Sequence, residues 1–153
     1  LVSNLARRPQ GNDRAQVKGI YEGLCDVAII NNYYFGKLKY SEDPVQREWA
    51  KSMRLTFPNQ EEGDRGAHIN ISGGGVAKHS KNKESAIKLL EFLSNSKSQK
   101  MYSEINFEYP VNVKVEPSEE LVSWGNFRED KISIEKIAQL SIDAQKIIDR
   151  VGW

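Results

Sequence analysis

Apolar residues recur every three or four positions in several stretches of the chain, which predicts a series of amphipathic helices. Asn12 or Asp13 can cap the first helix, because both side chains accept hydrogen bonds from the N–H groups of a first turn. The first helix runs to about Gly23, and a second is predicted from Tyr33 to about Tyr40. The remaining helices are predicted from Asp43-Pro44, over about 82–95, around 101–105, from Pro117-Ser118 and from Ser133.

One apolar run lacks the spacing of a helix. Residues 25–30 (CDVAII) are apolar almost without alternation, as in a strand that is covered on both faces of a sheet. Asn31 and Asn32 follow directly and end the run with polar side chains. Shorter β-segments are predicted over 53–57 and 67–78. A helix, a strand and a polar switch in this order predict an α/β fold.

Three consecutive glycines, Gly73, Gly74 and Gly75, interrupt the last of these β-segments. A glycine run can cradle a phosphate, but no Lys-Ser/Thr pair or helix start follows it immediately. Glycine within a strand more often marks a hinge, a bulge or a close backbone approach. We therefore interpret the run as structural.

Composition narrows the class of protein. The 153 residues suffice for one compact domain, and a net charge of +1 gives no argument for a nucleic-acid partner. No apolar run approaches the roughly 20 residues of a membrane span. Cys25 is the single cysteine and lies in an apolar run, which predicts an inert buried thiol. The chain begins at Leu1 without a methionine or a signal-peptide pattern, so we expect a mature or truncated piece.

The adjacent tyrosines Tyr33 and Tyr34 are the strongest candidates for chemistry. They follow the predicted strand, and the carboxyl end of a strand in an open α/β sheet is where ligands usually bind. A trivalent metal ion can displace a phenol proton, which leaves a hard anionic oxygen that suits hard cations such as ferric iron. Side chains of neighbouring helical residues diverge by about 100°, so both rings can meet one ion only at an irregular helix start. The alternative is that both rings are packing or surface aromatics.

Other residues are weaker candidates for a site. His68 and His79 are the only histidines and are not at metal spacing, and His79 lies in a predicted surface turn. The carboxylate pairs at 61–62 and 119–120 are typical of solvated loops and helix starts. The motifs GxSxG, HExxH and CxxC are all missing from the sequence, so no nucleophile–base pairing supports an enzyme.

Several segments together resemble the ferric-iron-binding periplasmic proteins of ABC transporters. The resemblance is carried, in the right order along nearly the whole chain, by residues 11–16 (GNDRAQ), 25–34 (CDVAIINNYY), 75–78 (GVAK), 82–87 (NKESAI), 91–93 (EFL), 107–112 (FEYPVN) and 149–153 (DRVGW). The NNYY and EYP segments are fairly specific together.

The resemblance implies a type II periplasmic-binding-protein fold, in which two α/β lobes close on a ligand. It implies that Tyr33 and Tyr34 are ligands of iron(III). It further implies that Asn31, Asn12 and Asp13 lie near a synergistic anion such as carbonate or phosphate. The protein would then be a solute receptor that delivers ferric ion to an ABC permease of the inner membrane. Its location would be the periplasm, or the cell surface as a lipoprotein in a Gram-positive host.

Members of this family are about twice as long, and this chain resembles only their carboxyl-terminal half. We therefore expect a fragment whose partner is the missing amino-terminal half, which supplies the remaining iron ligands. The family's chain path assigns residues 1–65 to the ligand-binding lobe and 66–116 to a segment that crosses into the other lobe. Residues 117–153 would return to the first lobe.

The sequence leaves two alternatives open. A receptor of the same fold could bind a polyamine or an organic anion, with the tyrosines stacking on the solute instead of ligating a metal. A non-metal interaction module would place Tyr33 and Tyr34 in the core.

Overall fold

A computed structural model describes residues 2–8 and 10–153 of the chain. Contacts divide the chain into two compact units. Unit 1 comprises Leu1–Ala67 and Phe127–Trp153, and unit 2 comprises His68–Asn126. The assignment of residues 1–65, 66–116 and 117–153 to lobes stays a prediction.

Helices account for the regular structure of both units. A short 3₁₀ helix spans Val2–Asn4 and a π-helix spans Tyr102–Asn106. The α-helices are α1 (Asp13–Tyr21), α2 (Asn32–Lys39), α3 (Pro44–Lys51), α4 (Lys83–Leu93), α5 (Ser96–Met101), α6 (Glu119–Ser123) and α7 (Ile134–Val151). Within the described residues, none of these helices combines the length and the apolar character that crossing a membrane requires.

Side-chain caps fix the starts of four helices that the sequence predicted. The Asn12 side-chain oxygen accepts a hydrogen bond from Ala15 N at 3.2 Å and begins α1. Asp43 does the same for α3, accepting from Val45 N at 2.8 Å. Ser118 and Ser133 cap α6 and α7. These predictions are confirmed because a cap depends only on residues within one turn.

The core of unit 1 lies where α1, α2 and α3 meet. Its fully or nearly fully buried members are Val17, Leu38 and Ala50, one from each helix. Burial of one large aliphatic side chain stabilises a fold by about 1.5–3 kcal/mol. The partly buried side chains packed against these three are Ile30, Phe35, Trp49 and Met53. This cluster therefore fixes α2 relative to its two neighbouring helices.

The predicted strand over residues 25–30 is wrong for this chain. The segment forms neither a helix nor a strand, and its expected burial on both faces is missing: Val27 is 83% exposed and Ile29 is 78% exposed. Ile30 alone packs against the core, and Cys25 is half-buried instead of buried. A strand needs hydrogen-bonding neighbours. Among the described residues, β-pairing is confined to one parallel bridge between Ala67 and Glu129, so neighbours for 25–30 are lacking.

The other two predicted β-segments, over 53–57 and 67–78, also remain unpaired except at that bridge. At the bridge, Ala67 N donates to Arg128 O at 2.8 Å. Gly66 precedes it with φ +94°, and a Cβ there would lie 2.6 Å from the backbone of Glu129. Glycine is therefore required at Gly66 by both conformation and space.

The glycine run in unit 2 lies beside α4 at one position. A Cβ on Gly74 would lie 2.8 Å from Leu90 Cδ2, whereas Gly73 and Gly75 have open space around them. The predicted hinge, bulge or close backbone approach at this run stays a prediction.

Unit 2 is held together by hydrogen bonds around a buried serine. Ser103, in the π-helix, accepts from Ser118 N at 2.7 Å through its hydroxyl, and its carbonyl accepts from Ser118 Oγ at 2.9 Å. Leu121 of α6 is fully buried beside this junction. The Tyr109 hydroxyl donates to Leu121 O at 3.4 Å, and burial raises the pKa of Tyr109 to about 12.

Helix α7 begins directly after Ser133, as predicted, but contributes little buried surface. Its apolar side chains are largely exposed to solvent. They include Ile134, Leu140, Ile142, Ile147, Ile148 and Val151.

Candidate metal-binding site

The first turn of α2 positions the two tyrosines. Asn31 is extended, with φ −74° and ψ 132°, and the helix begins at the next residue. Tyr34 N donates to Asn31 O at 3.1 Å, a bond across three residues that tightens this turn. One and a half turns further on, Leu38 is fully buried and anchors the helix. Tyr33 and Tyr34 are thus presented by a helix whose orientation is fixed by the core of unit 1.

The structure brings the two tyrosine rings together. Their centroids are 4.5 Å apart and the ring planes are inclined by 35°. Regular helical positions separate neighbouring side chains by about 100°, so the side chains of Tyr33 and Tyr34 must turn toward each other to bring the rings this close. Both residues are half-buried and neither is a member of the core cluster of unit 1. The geometry does not favour the alternative in which both rings are core residues.

Two cationic side chains lie against the pair. Lys37 Nζ is 5.1 Å from the centroid of Tyr33, and the guanidinium carbon of Arg14 is 5.7 Å from the centroid of Tyr34. The N-terminus of α2 adds the positive end of its helix dipole. The surroundings of the rings are therefore electropositive and suit anionic ligands.

A carboxylate connects the start of α1 to the start of α2. Asp13 Oδ1 accepts hydrogen bonds from Asn31 N at 2.6 Å and from Asn31 Nδ2 at 3.1 Å. Asn12 is the neighbour of Asp13 and caps α1. The three residues predicted to lie near an anion therefore occupy adjoining helix starts. Their contact with an anion stays a prediction.

Sequence reasoning did not include Arg14 or Lys37 among the site residues. The sequence nevertheless contains an indication for each of these two residues. Lys37 is four positions after Tyr33, which places both on one face of a helix, and Arg14 lies in the segment that carries the family resemblance. Sequence alone could not place the Arg14 side chain beside Tyr34, since that contact depends on how α1 packs against α2.

Both histidines lie in unit 2, whereas the tyrosine pair lies in unit 1. His68 is exposed, and His79 lies in an exposed turn, as predicted. Over residues 2–8 and 10–153, no group of three His, Cys, Asp or Glu side chains is placed to hold a metal ion. The role of Tyr33 and Tyr34 as metal ligands stays a prediction.

The fold and the sequence define the class of this chain: it is homologous to ferric-iron-binding proteins and has the type II periplasmic-binding-protein fold over about half of their length. It is 42% identical to iron uptake protein A1 of Synechocystis sp., over all of this chain and 42% of the relative. No family model matches the chain.

Solved structures agree with this relationship. The ferric binding protein from Campylobacter jejuni matches with a TM-score of 0.93 and 41% identity, over 99% of this chain and 47% of that one. A Trichodesmium protein in complex with iron and citrate ligands matches with a TM-score of 0.90 and 45% identity, over 99% of this chain and 48% of that one. A more distant relative from Serratia marcescens, 23% identical over 87% of this chain, is named an Fe(3+)-binding periplasmic protein. The chain thus spans about half the length of the relatives that it matches.

Proposed function

We propose that this chain binds ferric iron through the phenolate oxygens of Tyr33 and Tyr34, as part of a solute receptor that serves uptake of the metal. The observation that carries the proposal is the pair of rings with centroids 4.5 Å apart at an electropositive helix start. The iron-binding names of homologues that cover the whole chain give it independent support.

The chemistry follows from the ligand type. A phenol is neutral near pH 7, and coordination to a trivalent ion replaces its proton. The resulting oxygen is hard and anionic, which favours ferric iron over softer metals. The metal is cargo in this proposal, and the protein has no catalytic step.

Two phenolates leave coordination positions for other ligands. The chain spans less than half the length of its relatives, so we propose that the missing amino-terminal half supplies the remaining protein ligands. Closure of two lobes around the ion would then trap it. We expect the chain on its own to bind ferric iron much more weakly than the complete cleft.

We further propose that a synergistic anion, carbonate or phosphate, binds together with the iron. Arg14 and Lys37 place positive charge beside the two rings, which favours an anion there. The amide of Asn12 offers N–H donors on an exposed surface. Asn31 already donates to Asp13, so an anion at Asn31 would have to compete with that carboxylate.

We propose a periplasmic location, which the name of the Serratia marcescens relative supports. Delivery to an ABC permease of the inner membrane is the corresponding transport step. A cell-surface lipoprotein of a Gram-positive host is the variant of this proposal in which the receptor is anchored.

Titration with ferric nitrilotriacetate tests the metal role. The wild-type chain should develop a visible phenolate-to-iron charge-transfer band that saturates with added metal. Tyr33→Phe and Tyr34→Phe should each weaken the band, and the double variant should lose it. Tyr21→Phe is the matched control, because Tyr21 is an exposed phenol at the opposite end of α1 from Arg14. A band that persists in the double variant, or never forms in the wild type, contradicts the proposal.

An organic anion without metal is the second candidate ligand. Arg14 and Lys37 lie beside the two rings and offer charged partners for the carboxylates of such an anion. Calorimetric titration with citrate in the absence of iron separates the two candidates. Saturable citrate binding by a chain that stays colourless with ferric iron would support the organic-anion receptor.

A further inference from the structure

We infer that Asp13 is a positioning residue for the tyrosine pair: its carboxylate holds Asn31 and thereby fixes the first turn of α2. This inference rests on the proposed function. Asp13 Oδ1 accepts from both Asn31 N, at 2.6 Å, and Asn31 Nδ2, at 3.1 Å. The two residues are 18 positions apart, so the link is between helices and not within one.

The Asn31 side chain does not form the hydrogen bond that its position at the start of a helix predicts. Asparagine at a helix N-cap ordinarily accepts a hydrogen bond from the first turn of its own helix. Asn31 occupies the N-cap of α2 but makes no such side-chain bond. Its amide donates to Asp13 instead. The start of α2 is therefore held by a bond to α1, and loss of Asp13 would allow Asn31 to cap its own helix and shift the turn.

Both ends of this link are attached to the core. Asp13 opens α1, which Val17 anchors in the buried cluster, and Leu38 anchors α2 in the same cluster. Tyr33 and Tyr34 follow Asn31 within the same turn. A change in the direction of that turn would alter the spacing and tilt of the two rings, which one metal ion requires to be fixed.

Arg14 gives α1 a second point of contact with the pair. It follows Asp13 in the first turn of α1 and lies 5.7 Å from the Tyr34 centroid. Asp13 and Arg14 together fix the start of α2 and one face of Tyr34. The start of α1 is therefore the support on which the geometry of the phenols depends.

A simpler role for Asp13 must be separated from this one. A carboxylate in a first turn also stabilises its own helix through the dipole, and loss of that effect would lower stability without moving the tyrosines. Asp13→Ala removes the acceptor, whereas Asp13→Asn retains an Oδ1 that can accept both bonds. Asp43→Ala is the matched control, because Asp43 caps α3 in the same unit and does not touch the pair.

The first measurement needs no metal. Amide hydrogen exchange should show the Asn31 N–H losing protection at least tenfold in Asp13→Ala, while Asp13→Asn stays within about threefold of the wild type. The near-ultraviolet circular dichroism of the adjacent tyrosines should change in Asp13→Ala only. Unchanged Asn31 exchange and an unchanged tyrosine signal in Asp13→Ala would overturn the inference.

The second measurement uses ferric nitrilotriacetate. Asp13→Ala should weaken ferric binding at least tenfold and shift the charge-transfer band, whereas Asp13→Asn and Asp43→Ala should remain within about threefold of the wild type. Equal loss in Asp13→Ala and Asp43→Ala would show a stability effect and overturn the positioning role. Absence of any band in the wild type would instead refute the proposed function, and the metal-free measurement would still decide the role of Asp13.

Discussion

The phenol of Tyr109 lies in a very different setting from the pair on α2. Its ring meets Trp124 edge-on, with centroids 6.5 Å apart, and its hydroxyl donates to the carbonyl of Leu121. Burial disfavours the charged phenolate here and raises the pKa of Tyr109 to about 12. This tyrosine therefore remains a neutral structural residue of unit 2 at physiological pH.

The raised pKa of Tyr109 predicts a loss of stability at high pH. Below pH 10 the folded and unfolded chains both hold the phenol proton, whereas between pH 10 and 12 the unfolded chain releases it first. The contribution is thus fully present below pH 10 and is lost as pH rises through 12. Two pKa units correspond to about 2.7 kcal/mol, and partial exposure of the ring reduces this to about 2 kcal/mol.

Urea denaturation of the wild type and of Tyr109→Phe, at several pH values from about 9 to about 12, tests this prediction. The difference in free energy of unfolding between the two proteins should change by about 2 kcal/mol across this interval, with the wild type losing more. Parallel pH profiles would show that the Tyr109 phenolate is tolerated in the folded chain.

Among the elements of unit 1, the irregular segment over 25–30 has some side chains against the core and others in solvent. Ile30 packs against the core cluster of unit 1, whereas the preceding Ile29 is 78% exposed. The exposed side chains therefore contribute little to the stability of this chain.

The two adjacent isoleucines allow a matched comparison. Ile29→Ala should change the free energy of unfolding by no more than about 0.5 kcal/mol, as at other exposed positions. Ile30→Ala should cost about 2 kcal/mol, at the low end for truncating an apolar side chain in a core. Urea denaturation measures both. A cost for Ile29→Ala equal to that for Ile30→Ala would show that Ile29 is also packed.

Helix starts were predicted correctly from the sequence, whereas the strand over 25–30 was predicted wrongly. Helix starts at Asn12, Asp43 and Ser118 were predicted because the cap and its partner lie within a few residues. The strand at 25–30 was not realised, because pairing depends on neighbours that lie far away in sequence or outside this chain. The left-handed Phe107, with φ 59°, and the π-helix before it carry no local sequence signal.

Some features of the candidate site could be predicted from the sequence, whereas others depend on the packing of helices. Tyr33 and Tyr34 could be selected from their neighbouring positions and from the chemistry of phenols. The distance of 4.5 Å between their ring centroids depends on how the two side chains are oriented at the start of α2, which the sequence does not show. The bond from Asp13 to Asn31 joins two helices, and helix packing of this kind is not encoded in any local pattern.

The described part of the chain exposes many apolar residues, and the chain is about half as long as its relatives. Several side chains of 25–30 and much of the apolar side of α7 lie in solvent. Relatives matched over the full length of this chain are about twice as long. A ferric ion held by the two phenols would likewise have only part of its ligands from this chain.

The ferric complex of this chain should therefore depend on the anion supplied with the metal. Exogenous ligands would occupy the positions that protein does not fill, and each would alter the energy of the phenolate-to-iron transition. We expect the visible band to move when ferric iron is presented with phosphate, carbonate or citrate in turn. The Trichodesmium relative, whose solved structure contains iron together with citrate, makes citrate an informative member of this series.

The measurement is an absorption spectrum of the wild type with each anion. The double variant Tyr33→Phe/Tyr34→Phe is the control for iron that is bound by the anion alone. Bands that shift with the anion and vanish in the double variant would indicate a mixed coordination shell of two phenolates and exogenous ligand. A band at one wavelength with every anion would mean that this chain completes the shell by itself. In that case other oxygen donors of the chain would have to reach the ion, and the expectation of a missing half as ligand donor would be wrong.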